Sequence, residues 1–186
     1  MLKITNLSKS FDKNVVIDDL SVEFPEKGLV TVTGPSGKGK TTLLNIIADI
    51  IKADSGTIEG LRSSLSYSFQ EDRLFPWLSM KKNIEIVLDN VAEKEKIVSE
   101  WLEKVELSDF ADYLPEKMSG GMKQRASLAR ALAYPSEIVL LDEPFKGLDE
   151  DLHKRMYELV KSEAKNRLII MVTHDKNNVS EINIEI

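Results

Sequence analysis

Residues 34–41, with the sequence GPSGKGKT, constrain the fold of this chain more than any other segment. They match the pattern G-x-x-x-x-G-K-S/T, and they stand between an apolar run at residues 28–33 and a stretch with helical apolar spacing at residues 41–51. A strand, a glycine-rich loop and a helix in this order predict an α/β fold with a phosphate site at the helix N-terminus. The alternative, a plain glycine turn before a helix, is disfavoured by the complete match to the pattern.

The residue types of this loop suit a bound nucleotide. Glycines let backbone amides converge on the β-phosphate, and Lys40 brings positive charge to the β- and γ-phosphate oxygens. The Thr41 hydroxyl is suited to ligate Mg²⁺. Lys38 occupies a variable position of the pattern, and spacing alone gives it no role. The predicted nucleotide-binding loop comprises Gly34, Pro35, Ser36, Gly37, Lys38, Gly39, Lys40, Thr41 and Thr42.

A second apolar run, at residues 138–141, ends in two adjacent carboxylates, Asp142 and Glu143. The carboxyl ends of parallel strands form the edge at which open α/β sheets bind ligands. We therefore expect Asp142 to hold Mg²⁺ through water and Glu143 to polarise an attacking water as a general base. Without the phosphate loop, two solvated acids at a strand end would be the simpler interpretation.

Composition narrows the class of protein further. The chain has 186 residues, of which 42% are hydrophobic and 30% charged, as in one ordinary globular domain. The net charge of −6 argues against a protein that coats nucleic acid, and the absence of cysteine excludes disulfides, thiol catalysis and zinc ribbons. The sequence shows no membrane-spanning run and opens on no signal peptide, so we expect the chain to stay where it is made.

Periodicity predicts the remaining elements, which are an antiparallel hairpin over residues 2–24, short strands over 56–69, two surface helices over 79–106, helices over 122–133 and 152–164, and strands over 168–172 and 181–186. The apolar runs before residue 34 and at residues 138–141 and 168–172 do not alternate with polar residues. Such runs indicate a parallel sheet that is buried on both faces.

Five motifs occur in an order that resembles the nucleotide-binding subunits of ATP-binding cassette (ABC) transporters. They are the phosphate loop, Ser119-Gly120-Gly121, Asp142-Glu143-Pro144, Gly147-Leu148-Asp149 and Thr173-His174-Asp175. The resemblance covers nearly the whole chain and implies a single ABC ATPase domain over residues 1–186. It implies a P-loop NTPase three-layer α/β core with a mostly parallel sheet, an N-terminal antiparallel β subdomain and an α-helical subdomain inserted at about residues 72–130.

The resemblance also implies roles for single residues. Phe11, with Val16 beside it, is similar to the aromatic residue that stacks on adenine; a phenylalanine in the strand core is the alternative. Gln70 resembles the glutamine that touches Mg²⁺ and the attacking water. His174 resembles the histidine that contacts the γ-phosphate and steadies the water, whereas a lone histidine at a strand end is more often structural. His153, on a charged helix, is expected at the surface.

Ser119, Gly120 and Gly121 introduce a helix, and a helix N-terminus with two glycines and a hydroxyl forms an anion site. In the family this site serves the ATP bound by the other subunit, so two chains sandwich two nucleotides head to tail, with Asp149 at the seam. The resemblance thus implies ATP and Mg²⁺ as cofactors, a second ATP-binding subunit and transmembrane permease subunits. It further implies an extracytoplasmic solute-binding protein for an importer, a cytoplasmic location on the inner face of the cell membrane, and no nucleic-acid partner.

The chain departs from the family pattern at a few positions. Met122 stands where the family usually has Gln, and Met118 where it usually has Leu. Residues 70–79 (QEDRLFPWLS), together with GGMKQR, resemble the subgroup that imports nitrate, sulfonate, taurine and related solutes. Residues 76–78 either line a groove for a transporter helix or form an apolar plug of the helical insertion. Because the chain after His174 is shorter than usual, we expect a less protected sheet edge.

Three functional hypotheses follow. The first is the motor ATPase of a membrane transporter with separate membrane subunits. The second is a soluble relative that clamps DNA or the ribosome, which is disfavoured because such relatives carry coiled coils or two cassettes. The third is a nucleotide-binding regulatory module without turnover, which the presence of Lys40, Asp142, Glu143 and His174 disfavours.

Overall fold

The computed structural model describes residues 1–60, 64–89, 91–174, 180 and 182–186. The strands are β1 (Lys3–Phe11), β2 (Asn14–Glu23), β3 (Gly28–Thr33), β4 (Ser55–Glu59), β5 (Leu65–Ser68), β6 (Ile138–Asp142), β7 (Leu168–Val172) and β8 (Ile182–Glu185). The α-helices are α1 (Lys40–Ile47), α2 (Met80–Glu85), α3 (Lys94–Lys104), α4 (Gly120–Ala133) and α5 (Glu150–Ala164). Short 3-10 turns lie at Ile86–Leu88, Ser108–Phe110 and Pro115–Lys117.

The central sheet has the strand order β5-β6-β7-β3-β8, and all its pairings are parallel. Every residue of β6 and β7 is buried, as the unbroken apolar runs predicted. Asp142 lies opposite Val172 in the register of these two strands. Since the strands are parallel, the ends of β3, β5, β6 and β7 meet at one edge, where the phosphate loop begins.

A second sheet is antiparallel, with the order β2-β1-β4. The predicted hairpin is confirmed, and its turn places Asp12 at a positive φ of 53°. The register between β1 and β2 shifts three times, at irregularities that bend the sheet. This sheet packs on the same side of the central sheet as α1.

Two apolar clusters cover the two faces of the central sheet. Leu140 of β6 joins Leu43 and Leu44 of α1 in one cluster, whereas Val139 and Leu141 join side chains of α2–α5 in the other. Alternate residues of one strand therefore face opposite layers. This arrangement is the three-layer α/β core that the sequence predicted.

The helical part between β5 and β6 is held together by apolar and polar contacts. Trp101 of α3 is 6% exposed and belongs to the same cluster as Val139. Arg125 of α4 is buried, and its guanidinium donates to the carbonyl oxygens of Val105 at 2.5 Å and Glu106 at 2.9 Å. These bonds fix the end of α3 to the middle of α4.

Three predicted helix boundaries were wrong by two residues or more. Helix α5 begins at Glu150 rather than at residue 152, because the Asp149 side chain caps it. Helix α1 ends at Ile47 rather than at residue 51, because Asp49 takes a left-handed conformation with φ 56° and Ile50 is 53% exposed. Helix α4 begins at Gly120 rather than at residue 122, because the Ser119 side chain caps it. Within the described ranges, no helix has the length and apolar character needed to cross a membrane.

Candidate nucleotide-binding and hydrolysis site

The phosphate loop connects β3 to α1 in a conformation that requires glycine. Gly34, Gly37 and Gly39 have φ values of 142°, 79° and 91°. A Cβ atom on Gly39 would lie 2.3 Å from the carbonyl oxygen of Val16, so the loop packs directly on β2. A Cβ on Gly34 would lie 2.1 Å from the carbonyl oxygen of Ile186, a neighbour that no sequence pattern indicated.

Lys40 is 5% exposed, and its ammonium is held within the loop. It donates to the carbonyl oxygens of Gly34 at 2.9 Å and Pro35 at 2.8 Å. Burial lowers the pKa of Lys40, while the nearby carboxylates of Glu143 and Asp142 raise it. A buried cation beside a helix N-terminus is suited to bind phosphate oxygens.

Thr41 and Asp142 meet at the base of the loop. The Thr41 hydroxyl donates to Oδ2 of Asp142 at 2.8 Å, and Asp142 is 1% exposed. Burial raises the pKa of Asp142, against the effect of the Thr41 hydrogen bond, and Glu143 adds to the rise. The other oxygen, Oδ1, is buried and has no hydrogen-bond partner among the described residues.

This orphaned oxygen fits a hydrated Mg²⁺. Magnesium binds hard oxygen ligands, keeps several waters and commonly takes only one or two protein ligands plus substrate phosphates. Thr41 and Asp142 supply that number. Within the described ranges, no group of three or more carboxylate or histidine side chains is placed to hold a metal ion. Waters and substrate phosphates would therefore complete the ligand set of Mg²⁺.

Glu143 lies at the centre of a polar triad just after β6. His174 Nε2 donates to its Oε1 at 3.0 Å, and Gln70 Nε2 lies 3.4 Å from its Oε2. Its backbone has a positive φ of 49°, and its N–H donates to the carbonyl oxygen of Val172 at 3.1 Å. The three side chains line a pocket of about 260 Å³ together with Ser36, Gly37, Gly39, Lys40, Thr41 and Thr42.

Ser119, Gly120, Gly121 and Asp149 lie elsewhere, in a larger cleft of about 910 Å³. The Ser119 hydroxyl accepts from the Met122 N–H at 3.3 Å, and space is open beside Gly120. Asp149 caps α5 by accepting from the Leu152 N–H at 2.9 Å. Gln70 lines both this cleft and the 260 Å³ pocket at the phosphate loop, the phosphate-loop pocket. The other lining residues of the two cavities differ. The predicted site residues thus form two sets within one chain.

Phe11 and Lys38 lie outside both sets. The Phe11 ring is 48% exposed at the end of β1, which contradicts a strand-core role and leaves a face for stacking. Val16 is half-buried against the loop. Lys38 is exposed and does not line the pocket.

Three further positions differ from simple sequence expectations. His153 is half-buried rather than at the surface, and its ring packs edge-on against Phe145 at 4.9 Å. Trp77 is 70% exposed, so it does not plug the helical part. Lys146 belongs to none of the five motifs, yet its side chain lines two cavities. The sequence signal for it is a lysine inside the segment DEPFKGLD, between two of the motifs.

Comparison with known proteins identifies the family of the chain. The model of the ABC transporter family matches residues 17–146. The chain belongs to the ABC transporter family. This ABC protein is therefore an ATPase with ATP and Mg²⁺ as cofactors. Residue 175 of the Thr173-His174-Asp175 motif lies outside the described residues.

The relatives of this ABC protein include import proteins. The aliphatic sulfonates import ATP-binding protein SsuB 2 of Pseudomonas syringae pv. tomato is 38% identical over 90% of this chain and 72% of that protein. The sulfate/thiosulfate import ATP-binding protein CysA of Escherichia coli is 35% identical over 97% of this chain and 55% of that protein. The resemblance to the importer subgroup is confirmed.

A solved structure confirms the fold. A dimeric ATP-binding cassette in a post-hydrolysis state, bound to ADP and Pi, superposes with a TM-score of 0.91 at 28% identity. The superposition covers 100% of this chain and 94% of that chain. The P-loop NTPase core of this ABC protein is therefore shared with a cassette that binds nucleotide as a dimer.

Proposed function

We propose that this ABC protein is the motor of an importer, in which two ATP-binding subunits hydrolyse ATP between them and drive a solute through separate permease subunits. Residues 1–186 act in it as one ABC ATPase domain, with the helical subdomain at about residues 72–130. The observation that carries the proposal is the position of Glu143, held between Gln70 and His174 at the pocket of Lys40 and Thr41.

Each residue of the pocket has a distinct task. Lys40 and the loop amides bind the phosphates, and the Phe11 ring stacks on adenine. Thr41 and Asp142 would hold Mg²⁺, with Gln70 nearby, and the ion would supply positive charge against the phosphates. Glu143 accepts the proton of the attacking water, while His174 fixes the carboxylate and reaches the γ-phosphate. In this account the positive φ of Glu143 turns its side chain toward the pocket.

The predicted site residues fall into two sets, one at the phosphate-loop pocket and one in the cleft of Ser119. This separation supports a composite site, which is an active site completed by residues of two subunits. Ser119, Gly120 and Gly121 form an anion site at the N-terminus of α4, with open space beside Gly120, yet they do not line the phosphate-loop pocket. In a head-to-tail dimer this site binds the triphosphate held by the other subunit, and Asp149 lies at the seam. A single chain then holds two half-sites.

Trapping the dimer tests this arrangement. Glu143→Gln keeps the size of the side chain and removes the base, so it should abolish turnover and yet elute as a dimer from a sizing column in ATP and Mg²⁺. Glu150→Gln, at an exposed acid in the first turn of α5, is the matched control and should hydrolyse ATP normally. An inert Glu143→Gln variant that stays monomeric at all ATP concentrations would contradict the composite site.

The permease contacts the helical subdomain. Phe75 and Trp77 are 36% and 70% exposed, and their rings lie 5.6 Å apart, forming an apolar patch just after Gln70. A transporter helix seated on this patch places the protein on the inner face of the cell membrane and transmits movement of Gln70. The sulfonate and sulfate import relatives favour a small oxyanion as solute, delivered by an extracytoplasmic solute-binding protein.

Membrane association tests the docking patch. In cells that contain the cognate permease, the wild-type chain should sediment with membranes, and Trp77→Ser should shift it to the soluble fraction without loss of ATPase activity. Ile50→Ser, at a 53% exposed apolar residue after α1, is the control and should remain with the membranes. Unchanged sedimentation of Trp77→Ser would place the permease contact elsewhere.

A further inference from the structure

Lys146 lies in the loop between Glu143 and Asp149 and faces two cavities. Its side chain is exposed, and it forms no ion pair or hydrogen bond within the described residues. Its backbone N–H donates to the carbonyl oxygen of Glu143 at 3.2 Å, which fixes the start of the side chain. It lines the 910 Å³ cleft of Ser119 and also a cavity of about 240 Å³ that contains Glu143 and His174.

The other cations of the larger cleft are already engaged. Arg125 is buried, and its guanidinium donates to two carbonyl oxygens at the end of α3. Arg73 stacks on the Phe69 ring, with its guanidinium carbon 3.8 Å from the centroid, and lies 3.7 Å from the Glu71 carboxylate. In the described lining, Lys146 is the cation that is free to turn toward an anion in the cleft.

The chemistry of the cleft calls for such a cation. The N-terminus of α4 presents backbone amides, and Ser119 presents a hydroxyl, but the Met122 side chain on the same wall offers no hydrogen-bond donor. Lysine carries a compact charge and three donors on a flexible stem, which suits a phosphate approaching an open surface.

We propose that Lys146 binds the γ-phosphate of the ATP held by the phosphate loop of the partner subunit. The inference rests on the proposed head-to-tail dimer and adds to it a cation supplied in trans. Lys146 then acts as a sensor of the triphosphate, because its ammonium gains a partner only when a nucleotide with a γ-phosphate closes the dimer. Its loop also carries Glu143, so the same contact links the two active sites.

A titration of dimer formation tests the proposal. In the Glu143→Gln background, Lys146→Ala should raise the ATP concentration for half-maximal dimerisation about tenfold. ATP binding to the dilute monomer should be unchanged, because the phosphate of its own loop is not the target. Lys154→Ala, at an exposed lysine of α5, is the matched control. An unchanged dimerisation midpoint, or an equal loss of ATP affinity in the monomer, would overturn the proposal.

Mixed dimers distinguish trans from cis action. In a dimer of Lys40→Ala with Lys146→Ala, trans action leaves one site with both lysines intact and one with neither. ATPase activity of the mixture should then exceed that of either variant alone. If Lys146 serves its own subunit's nucleotide, both sites are damaged and mixing restores nothing. If the proposed head-to-tail dimer does not exist, the Glu143→Gln variant will not dimerise in ATP at all. That result is distinct from a dimer that forms without any effect of Lys146.

Discussion

The Nε2 atom of His174 lies 3.0 Å from the Oε1 atom of Glu143, across the gap between the ends of β7 and β6. The two strands are neighbours in register, so the sheet itself sets this distance. The hydrogen bond fixes one carboxylate oxygen, while Gln70 approaches the other at 3.4 Å. The sheet therefore orients the proposed general base before substrate arrives.

Removing this histidine should slow hydrolysis while the dimer still forms. We expect His174→Ala to lower kcat about a hundredfold, the scale on which a small misplacement of a reacting group acts. The chain's other histidine gives the control, because His153 packs on Phe145 outside the phosphate-loop pocket. His153→Ala should lose about 1 kcal/mol of stability and keep its kcat. Equal kcat values for the two variants would contradict the role of His174.

Asp142 provides a prediction on pH and stability. Because burial raises its pKa, the folded chain binds a proton at this group more tightly than the unfolded chain does. The group thus lowers stability above its folded pKa, and the penalty disappears as pH falls through that pKa. Without nucleotide or Mg²⁺, Asp142→Asn should raise the melting temperature at neutral pH by about 2–4 °C, or about 1 kcal/mol.

The same substitution should abolish Mg²⁺-dependent hydrolysis, since the amide is a poor ligand for the ion. Differential scanning calorimetry at pH 5 and pH 7.5 measures the stability effect, which should shrink at the lower pH. Asp151→Asn, at an exposed acid of α5, is the control and should change neither property. A lower melting temperature for Asp142→Asn at pH 7.5 would show that the carboxylate is not destabilising.

Alanine substitutions at two glycines of the phosphate loop distinguish the cost of backbone strain from the cost of a steric clash. Gly37 and Gly39 both have positive φ, but a Cβ on Gly37 meets no atom within 4 Å, whereas one on Gly39 meets the Val16 carbonyl oxygen at 2.3 Å. Gly37→Ala should cost about 1 kcal/mol in the free energy of unfolding, and Gly39→Ala about 3 kcal/mol or more. Urea unfolding measures both. Equal costs would mean that the hairpin yields to the new side chain.

Because the Phe11 ring is exposed, we expect its removal to weaken nucleotide binding without lowering the stability of the fold. Stacking of a base on an aromatic side chain is worth about 1–3 kcal/mol, so Phe11→Ala should raise the KM for ATP roughly tenfold. Phe11→Tyr should keep the KM, and Val15→Ala, at a 56% exposed residue of the same hairpin, should leave it unchanged. All three variants should melt like wild type. An unaltered KM for Phe11→Ala would place adenine elsewhere.

The sequence was sufficient for the parts of the fold that local chemistry determines. The apolar runs at β6 and β7 identify a parallel sheet, because only strands buried on both faces lack alternation. The glycines of the phosphate loop and the carboxylates after β6 could be placed at one edge, because parallel strands end together. These positions explain why the pocket of Lys40, Thr41 and Glu143 could be predicted.

Other features depend on contacts between distant segments. The end of α1 was misplaced because Ile50 continues the apolar spacing, although Asp49 leaves the helical conformation first. The approach of Ile186 to Gly34 has no local signal. Nor could periodicity show that Ser119 lines a different cleft from Lys40, since that separation arises from the packing of α4 against the sheet. Lys146 gained its significance only from that packing.

The dependence of ATPase rate on protein concentration shows whether a complete active site needs two subunits. If the two sets of residues must come from two subunits, the rate per chain in saturating ATP and Mg²⁺ should rise with protein concentration and level off as the dimer forms. Dilution should remove activity reversibly. A rate per chain that stays constant down to concentrations at which the protein is monomeric in ATP would contradict the composite site.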